Sequence, residues 1–334
     1  MSKIYNWAVL GCGRIANKFV NDLKLLPNAK LYAAAARDLG RAKDFANELG
    51  FEKAYGSYSE MAEDPNVDVV YIATPHSHHF EHTMLCLKNK KAVLCEKAFA
   101  MNSNEVRQMI SYAKENNTFL MEAFWTMFQP SFKKALEIVN SGELGKLKMV
   151  RSDFAFNAEF NEEKRLYNVK LGGGSLLDIG IYPVFAALSA LGVPDLIKSS
   201  ADFSTTGSEE SINIIFKYKD GEMASLSSSF AVHSPIQTEY CCEHGYVVLH
   251  PRWFTPTDIT VWKEGEEQQL FKNETKEGAG YQYEAMHVME CLDAGWTESP
   301  KMTFEMSLNL METLDRIRID AGIFFPDHDK NMFF

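Results

Sequence analysis

Residues 4–16 read Ile4-Tyr5-Asn6-Trp7-Ala8-Val9-Leu10-Gly11-Cys12-Gly13-Arg14-Ile15-Ala16. A short apolar run of strand character ends in glycine, and G-x-G-x-x-A then opens a segment, Ile15 to Leu26, with helical spacing. The order strand, tight turn, helix is what gives the motif meaning. Gly11 permits the turn, Gly13 lets the backbone approach a pyrophosphate, and the small Ala16 lets helix and strand pack closely. The free N–H groups of the turn, with Arg14 and Ile15 opening the helix, hold phosphates at the positive end of the helix dipole. The bland alternative is a tight turn with no ligand. The strand in front and the alternation behind favour dinucleotide binding.

That alternation continues outward. Ala29 to Ala36 is a strand pattern, Arg41 to Leu49 a helix with Gly50 as its stop, and Ser59 to Ala62 a short helix. Val67 to Ala73 and Ala92 to Cys95 read as buried strands, His79 to Asn89 and Ser103 to Asn116 as helices, and Thr118 to Ala123 as a further apolar run. Such β-α-β repetition predicts a parallel, doubly wound sheet. Beyond it the pattern changes. Gly172-Gly173-Gly174 precedes a helix of about Ser175 to Leu191. Strand patterns follow at Ile212 to Tyr218, Glu222 to Phe230, Gln237 to Cys242, Tyr246 to Leu249 and Ile259 to Trp262, with Asp220-Gly221 and His244-Gly245 as hairpin turns. Two helices close the chain, about Tyr281 to Ala294 and Phe304 to Ala321. The expected fold class is α/β: a doubly wound parallel sheet over 1–123, then an α+β domain over 124–334 with an open, mainly antiparallel sheet.

Composition agrees with two folded domains. The chain has 334 residues, 46% hydrophobic and 24% charged, which is ordinary globular material. Thirty-four Lys+Arg against 45 Asp+Glu give a net charge of −11, so there is no electrostatic footprint for nucleic acid or an anionic membrane. No continuous apolar run approaches the ~20 residues of a membrane span. The stretch from Met1 into Ile4 is too short and polar for a secretion leader. Cys12, Cys86, Cys95, Cys241, Cys242 and Cys291 form no C-x-x-C pair and no zinc spacing. A cytoplasmic enzyme with reduced thiols is expected.

Residue chemistry then marks candidate sites. The second strand ends in Arg37, followed by Asp38 and later Arg41, where an acidic residue would select NAD. A guanidinium suits a 2′-phosphate, so NADP is favoured over NAD, with Asp38 as a helix cap in the bland alternative. Cys95-Glu96-Lys97 ends a strand, where ligands of a doubly wound sheet bind, so Glu96 and Lys97 should face the nicotinamide. A surface Glu–Lys pair is the alternative. Asp178 and Tyr182 are four apart on one helix face and suit a proton relay, although Asp178 also fits as N-terminal helix decoration. Pro183 should kink or tighten that helix. His76, His78, His79 and His82 cluster without the partners a metal needs, so no metal is expected and the histidines read as solvated or ribose-contacting groups. Trp125, Phe154 and Trp253 stand among the aromatics that can wall a substrate pocket.

These features together resemble the Gfo/Idh/MocA (glucose–fructose oxidoreductase/inositol dehydrogenase) family over essentially the whole length. The matching strings are GCGRIA from Gly11, AAR ending at Arg37, TPHSHH from Thr74, CEK from Cys95, GGGSLLDIGIY from Gly172 and YEAMHVMECL from Tyr283. Within the family, AARDLGRAKDFA, KAYGSYSE, KAVLCEK and LLDIGIY resemble the branch of dimeric dihydrodiol dehydrogenases. Tyrosine at the end of D-x-G-x-Y, where many relatives carry histidine, supports that branch. The resemblance implies NADP-dependent oxidation of arene trans-dihydrodiols, and of D-xylose at C1, by a Rossmann domain and an α+β domain whose open sheet pairs with a second subunit. It implies that Lys97 and Tyr182 handle the proton, the lysine lowering the tyrosine pKa, with Asp178 and His79 close by. Thr74, Pro75, His76 and His79 then line the cofactor, Glu96 contacts its nicotinamide ribose, and Trp125 and Trp253 wall the pocket.

Two positions depart from the family pattern. Ala98 follows Lys97 where relatives carry proline after a cis bond. A cis bond before alanine costs ~3 kcal/mol, so a trans peptide with a re-aimed Lys97 is expected. Met127 stands where relatives carry arginine, which removes one cation near the cofactor or substrate. Two further functions fit the same fold: a glycosidase using bound NAD in a redox cycle, and a nucleotide-sensing regulator without turnover.

Overall fold

The computed structural model describes residues 3–329. Met1 and Ser2, at the start of the segment read as lacking a leader, lie outside the described residues. The chain forms two units: residues up to Trp125 together with Lys276–Leu308, and Thr126–Thr275 together with the residues from Asn309 on. The sequence draws a single cut after 123, whereas the chain passes between units near 125, 275 and 308.

In the first unit β1 (Tyr5–Leu10), α1 (Arg14–Leu23), β2 (Ala29–Ala35), α2 (Leu39–Leu49), β3 (Lys53–Tyr55), α3 (Tyr58–Glu63), β4 (Val69–Ile72), α4 (His79–Lys88), β5 (Ala92–Glu96), α5 (Ser103–Glu115) and β6 (Leu120–Ala123) follow one another. The six strands are all parallel in the order β3-β2-β1-β4-β5-β6. The order reverses between β1 and β4, the switch point at which such sheets bind ligands. The strands read as apolar runs because both faces are covered, and Val9, Val70 and Leu94 have no exposed surface. Edge strand β3 escapes the sequence because its three residues carry no apolar run. Against the sheet, Phe19 of α1 stacks on Tyr71 of β4 at 3.7 Å between ring centroids.

The second unit contains α6 (Pro130–Asn140), β7 (Leu147–Ala155), α7 (Ile181–Leu191), β8 (Leu196–Phe203), β9 (Glu209–Lys217), β10 (Met223–Ser229), β11 (Thr238–Cys242), β12 (Gly245–Leu249), β13 (Ile259–Lys263) and β14 (Gln269–Phe271). Its eight strands run β14-β13-β12-β11-β7-β10-β9-β8, antiparallel except for the β7–β10 pair. Helices α6 and α7 pack on this sheet, with Phe132, Phe185, Phe216 and Tyr240 buried in the core. The first unit regains α8 (Tyr281–Asp293), whose N-terminus is held by Asp22 of α1. That buried carboxylate accepts the N–H groups of Ala279, Gly280 and Tyr281 at 2.8–3.0 Å. The last helix, α9 (Phe304–Ala321), includes the point where the chain passes back to the second unit.

Pro183 acts differently from expectation. The backbone before it widens instead of tightening: Leu176–Gly180 is a π-helical turn in which the Ile181 N–H reaches the Leu176 carbonyl five residues back. A proline cannot donate to the carbonyl four residues earlier and its ring crowds that position, and the wide turn accommodates both demands. The span Val169–Leu191 is also long and apolar enough, by length and composition, to match a membrane helix, which corrects the reading that nothing approached that size. It is mostly buried, as a core helix is.

Candidate active site

The first unit gathers its candidate residues at the carboxyl ends of β1, β4 and β5. Gly11 has φ +102°, and a Cβ there would meet the Ala73 backbone at 3.0 Å, so the fold itself requires glycine. At Gly13 a Cβ would find nothing nearer than the Ala73 carbonyl at 4.0 Å. Protein packing therefore leaves room there, which is the cradle an approaching pyrophosphate needs. No side chain caps the N-terminus of α1, and its first turn carries no acidic residue. Ala16 is fully buried beneath it, while Arg14 is exposed and Ile15 half-buried. This part of the structure fits a dinucleotide.

At the end of β2, Arg37 is exposed. Asp38 accepts the Arg41 N–H at 2.8 Å as the cap of α2, so the bland alternative holds for that residue. Arg41 Nη2 donates to the Cys12 carbonyl at 2.9 Å, which ties α2 to the glycine turn. One residue that the sequence prediction of the cofactor site lacks, Tyr58, lies within reach of the Arg37 charge, as does His82 of the histidine cluster. The two rings meet edge-on at 4.7 Å. Burial above all, aided by His78, His79 and Arg37, lowers His82 to about 4, so it is neutral at physiological pH.

Three of the four histidines, His76, His79 and His82, are buried, while His78 keeps a side chain 38% exposed. His79 places Nδ1 2.7 Å from the Ala98 carbonyl oxygen and Nε2 2.8 Å from that of Thr74. The two carbonyl oxygens hold the ring between the loop after β4 and the Lys97–Ala98 peptide. Thr74 and Pro75 are half-buried. Thr74 Oγ1 lies 3.0 Å from His82 Nδ1. Among the described residues no three His, Cys, Asp or Glu side chains converge as metal ligands.

The Lys97–Ala98 peptide is cis, against the trans bond expected from the missing proline. Ala98 is fully buried and its carbonyl is fixed by His79, so packing and hydrogen bonding set this path where relatives use a proline ring. Lys97 itself is half-buried. Glu96 is buried and accepts the Tyr71 hydroxyl, which excludes the surface Glu–Lys pair. Behind it lie two carboxyl groups that the sequence analysis did not single out. Glu122 is buried, and burial raises it to about 8 against the opposing pull of Ser307 and the Phe99 backbone. Glu284 has no exposed surface, its carboxyl oxygens have no hydrogen-bond partner among the described residues, and burial pushes it well above the ordinary carboxyl range, with Glu96 and Asp22 adding to the shift. Trp125 stacks on Tyr281 at 4.0 Å with ring planes 4° apart.

The second unit carries the other candidates. Tyr182 is 6% exposed, in the first turn of α7. Three aromatic rings surround it: Phe254 at 5.0 Å, Phe154 at 5.6 Å and Trp253 edge-on at 6.3 Å. Phe154 and Phe254 stack on each other at 4.4 Å. Trp253 is fully buried and donates Nε1–H to the Asp153 carbonyl at 3.3 Å, so it backs the tyrosine ring more than it faces outward. Asp178 lies in the π-helical turn and is gripped by Arg165 through two bonds of 2.9 and 3.1 Å. Asp178 is therefore more than helix decoration. Arg165 was not anticipated, because it comes from an irregular segment with no pattern. It supplies a cation to this half, where Met127 had suggested one was lost.

Comparison with known proteins follows this geometry. The profile of an oxidoreductase family with an NAD-binding Rossmann fold (Gfo/Idh/MocA) matches residues 5–124, and the profile of the family's C-terminal domain matches residues 132–248. The chain is 37% identical over 330 residues to a trans-1,2-dihydrobenzene-1,2-diol dehydrogenase from Xenopus laevis, covering 96% of this chain and 99% of that protein. The enzyme of the same name from Homo sapiens is also 37% identical, over 337 residues, with 97% and 99% covered. Among solved structures, an aldose-aldose oxidoreductase from Caulobacter crescentus aligns with a TM-score of 0.87 at 22% identity, covering 96% of this chain and 98% of that one. A 3-ketoreductase from Actinomadura kijaniata, solved with NADP, aligns at 0.86 and 23% identity with the same coverage. These structural likenesses speak for the fold. The whole-length identity and both profiles make the chain an NAD(P)-binding enzyme of the Gfo/Idh/MocA oxidoreductase family.

Proposed function

We propose that this oxidoreductase is an NADP(H)-dependent dehydrogenase acting on a carbinol of a sugar, polyol or cyclic trans-diol. The observation that carries the reading is Tyr182, a nearly buried phenol ringed by Phe154, Trp253 and Phe254 and one helical turn beyond an Asp178 locked by Arg165. In its phenolate form a tyrosine held this way accepts the hydroxyl proton of the substrate and returns it in the reverse direction, and its aromatic surround suits an arene-derived diol or the apolar face of a sugar ring. The names of the whole-length relatives support the same substrate class.

The nicotinamide cofactor, when bound, accepts or returns the hydride. Gly11, Gly13, Arg14, Ile15 and Ala16 would hold its pyrophosphate, and Thr74, Pro75, His76, His79 and Glu96 its nicotinamide half. Arg37 and Arg41 would hold the 2′-phosphate. Support for NADP is that Arg37 is exposed at the discriminating position while Asp38 is engaged as a helix cap. Tyr182 takes the proton of the substrate hydroxyl, Lys97 is the second proton-handling residue, and Asp178 orients the group it faces. Trp125 and Phe154 border the substrate.

The protein is further proposed to be a cytoplasmic homodimer. All six cysteines are free thiols, which suits a reducing compartment. The open sheet face bearing Arg151, Glu239 and Tyr246 would meet the second copy, and light scattering in solution tests this. Absorbance at 340 nm with NADP⁺ and then NAD⁺, over D-xylose, D-glucose, inositol and a trans-dihydrodiol, tests the activity. Reduction of NADP⁺ by one or two of these is expected, and silence across the panel would overturn the reading.

A further inference from the structure

The triple glycine ahead of Asp178 is packed against backbone on one side and a buried carboxyl group on the other. A Cβ on Gly173 would lie 2.7 Å from the Arg165 carbonyl oxygen and 2.8 Å from the Asn168 backbone. A Cβ on Gly174, where φ is +128°, would run into the carboxylate of Glu209. Glu209 opens β9 and is 1% exposed. Its carboxylate accepts the Leu176 N–H at the head of the π-helical turn and bonds the Ser175 side chain. Ser175 Oγ lies 2.9 Å from Ser228 Oγ, and a Cβ on Gly180, the last residue of the turn, would come within 2.6 Å of that same Ser228 oxygen. Both ends of the turn that carries Asp178 are thus seated on side chains of β9 and β10.

The charged group facing Glu209 is Arg318 of α9, itself paired with Asp315 at 3.2 Å and Asp329 at 3.0 Å. Burial raises Glu209 to about 8, while the Leu176 N–H, its own N–H, Arg318 and Ser175 pull the other way. Burial thus favours the neutral form of this carboxyl group. A glutamine at this position reproduces the neutral form and keeps an acceptor oxygen for Leu176.

We propose that Glu209 is a positioning residue: wedged under Gly174 and bonded to Leu176 N–H, it fixes the rotation of the turn on which Asp178 and Tyr182 sit. This rests on the reading of Tyr182 as proton acceptor. Small misplacements of such a group cost up to ~100-fold in rate. Glu209 belongs to no cofactor-holding segment, so the effect falls on kcat and leaves the KM for NADP⁺ unchanged.

The test compares Glu209→Ala, Glu209→Asp and Glu209→Gln by steady-state kinetics and by amide hydrogen exchange over residues 175–182. The Ala and Asp variants are expected to lose at least about tenfold in kcat with KM for NADP⁺ within about twofold, and to exchange faster over 175–182 while β10 and β11 keep their protection. Glu209→Gln should return kcat to within about threefold of wild type, with the alkaline bend of the wild-type profile near pH 8 removed. Wild-type kcat and exchange in the Asp and Ala variants would overturn the proposal, as would a Gln variant as impaired as Ala. If Glu209→Ala fails to fold, the Asp and Gln pair decides. If the wild-type protein turns over no substrate, the dehydrogenase reading fails, and the exchange of residues 175–182 alone decides whether Glu209 positions the turn.

Discussion

Arg165 and Asp178 form a two-pronged ion pair, with bonds of 2.9 and 3.1 Å, between an irregular segment and the π-helical turn that leads into Tyr182. The planar guanidinium fixes both carboxylate oxygens at once, which a lysine cannot do. The arginine side chain is 34% exposed, so solvent screening weakens the pair and a moderate effect is expected. Arg165→Ala should lower kcat by about tenfold, and Arg165→Lys should recover only part of it. Equal activity of the lysine variant and the wild type would show that charge alone suffices.

The two glycines of the dinucleotide turn should separate folding from binding. Gly11→Ala places a side chain at φ +102° and 3.0 Å from the Ala73 backbone, so it should cost about 1–3 kcal/mol of stability in urea unfolding. Gly13→Ala meets only the Ala73 carbonyl oxygen, at 4.0 Å, and should unfold at the wild-type midpoint while losing at least tenfold in affinity for NADPH, as measured by quenching of protein fluorescence. Undiminished NADPH binding by the second variant would remove Gly13 from the phosphate site.

Cofactor choice is testable at one residue. Arg37→Ala should raise the KM for NADP⁺ by roughly 10- to 100-fold, the worth of a charge-assisted contact to a phosphate, and change that for NAD⁺ by less than about threefold. Equal increases for both would mean that Arg37 does not read the 2′-phosphate.

The buried carboxyl group of Glu122 predicts how stability varies with pH. Its folded pKa, about 8, exceeds the ordinary 4.5 because burial penalises the charge. The unfolded chain therefore loses this proton first as pH rises. The group's contribution is fully present below about 4.5 and disappears by about 8. Urea midpoints at pH 5, 7 and 9 should fall across the series in the wild type and fall less steeply in Glu122→Gln. Parallel curves would contradict the assignment. Glu284, raised for the same reason, keeps part of the slope in both proteins.

What the sequence discloses and what it hides divide along physical lines. The glycine turn, the β-α-β alternation and strands β9 to β13 are legible because turn chemistry and hydrophobic period are local, whereas β7, β8 and β14 of the same sheet go unread in the sequence. The place of Arg37 at a strand end is legible for the same reason, and the structure has it exposed there. Arg165 is not legible, since it reaches Asp178 from a segment with no periodicity. Glu284 reads as an ordinary polar helix position, and its burial shows only once α8 is packed on α1. The histidines read as solvated or ribose-contacting, and no local signal shows that His76, His79 and His82 are buried. The cis peptide at Lys97–Ala98 depends on burial of Ala98 and on His79, neither of which the missing proline reveals.

The central claim rests on Tyr182, and one comparison tests it most directly: initial rates of NADP⁺ reduction at 340 nm for the wild-type protein and Tyr182→Phe, on the best substrate of the panel. The wild type should turn over, and the variant should fall by at least about 100-fold, the usual worth of a positioned proton acceptor, while still binding NADPH. A Tyr182→Phe protein that keeps more than about half of the wild-type kcat would contradict the account, because the proton would then leave by another group.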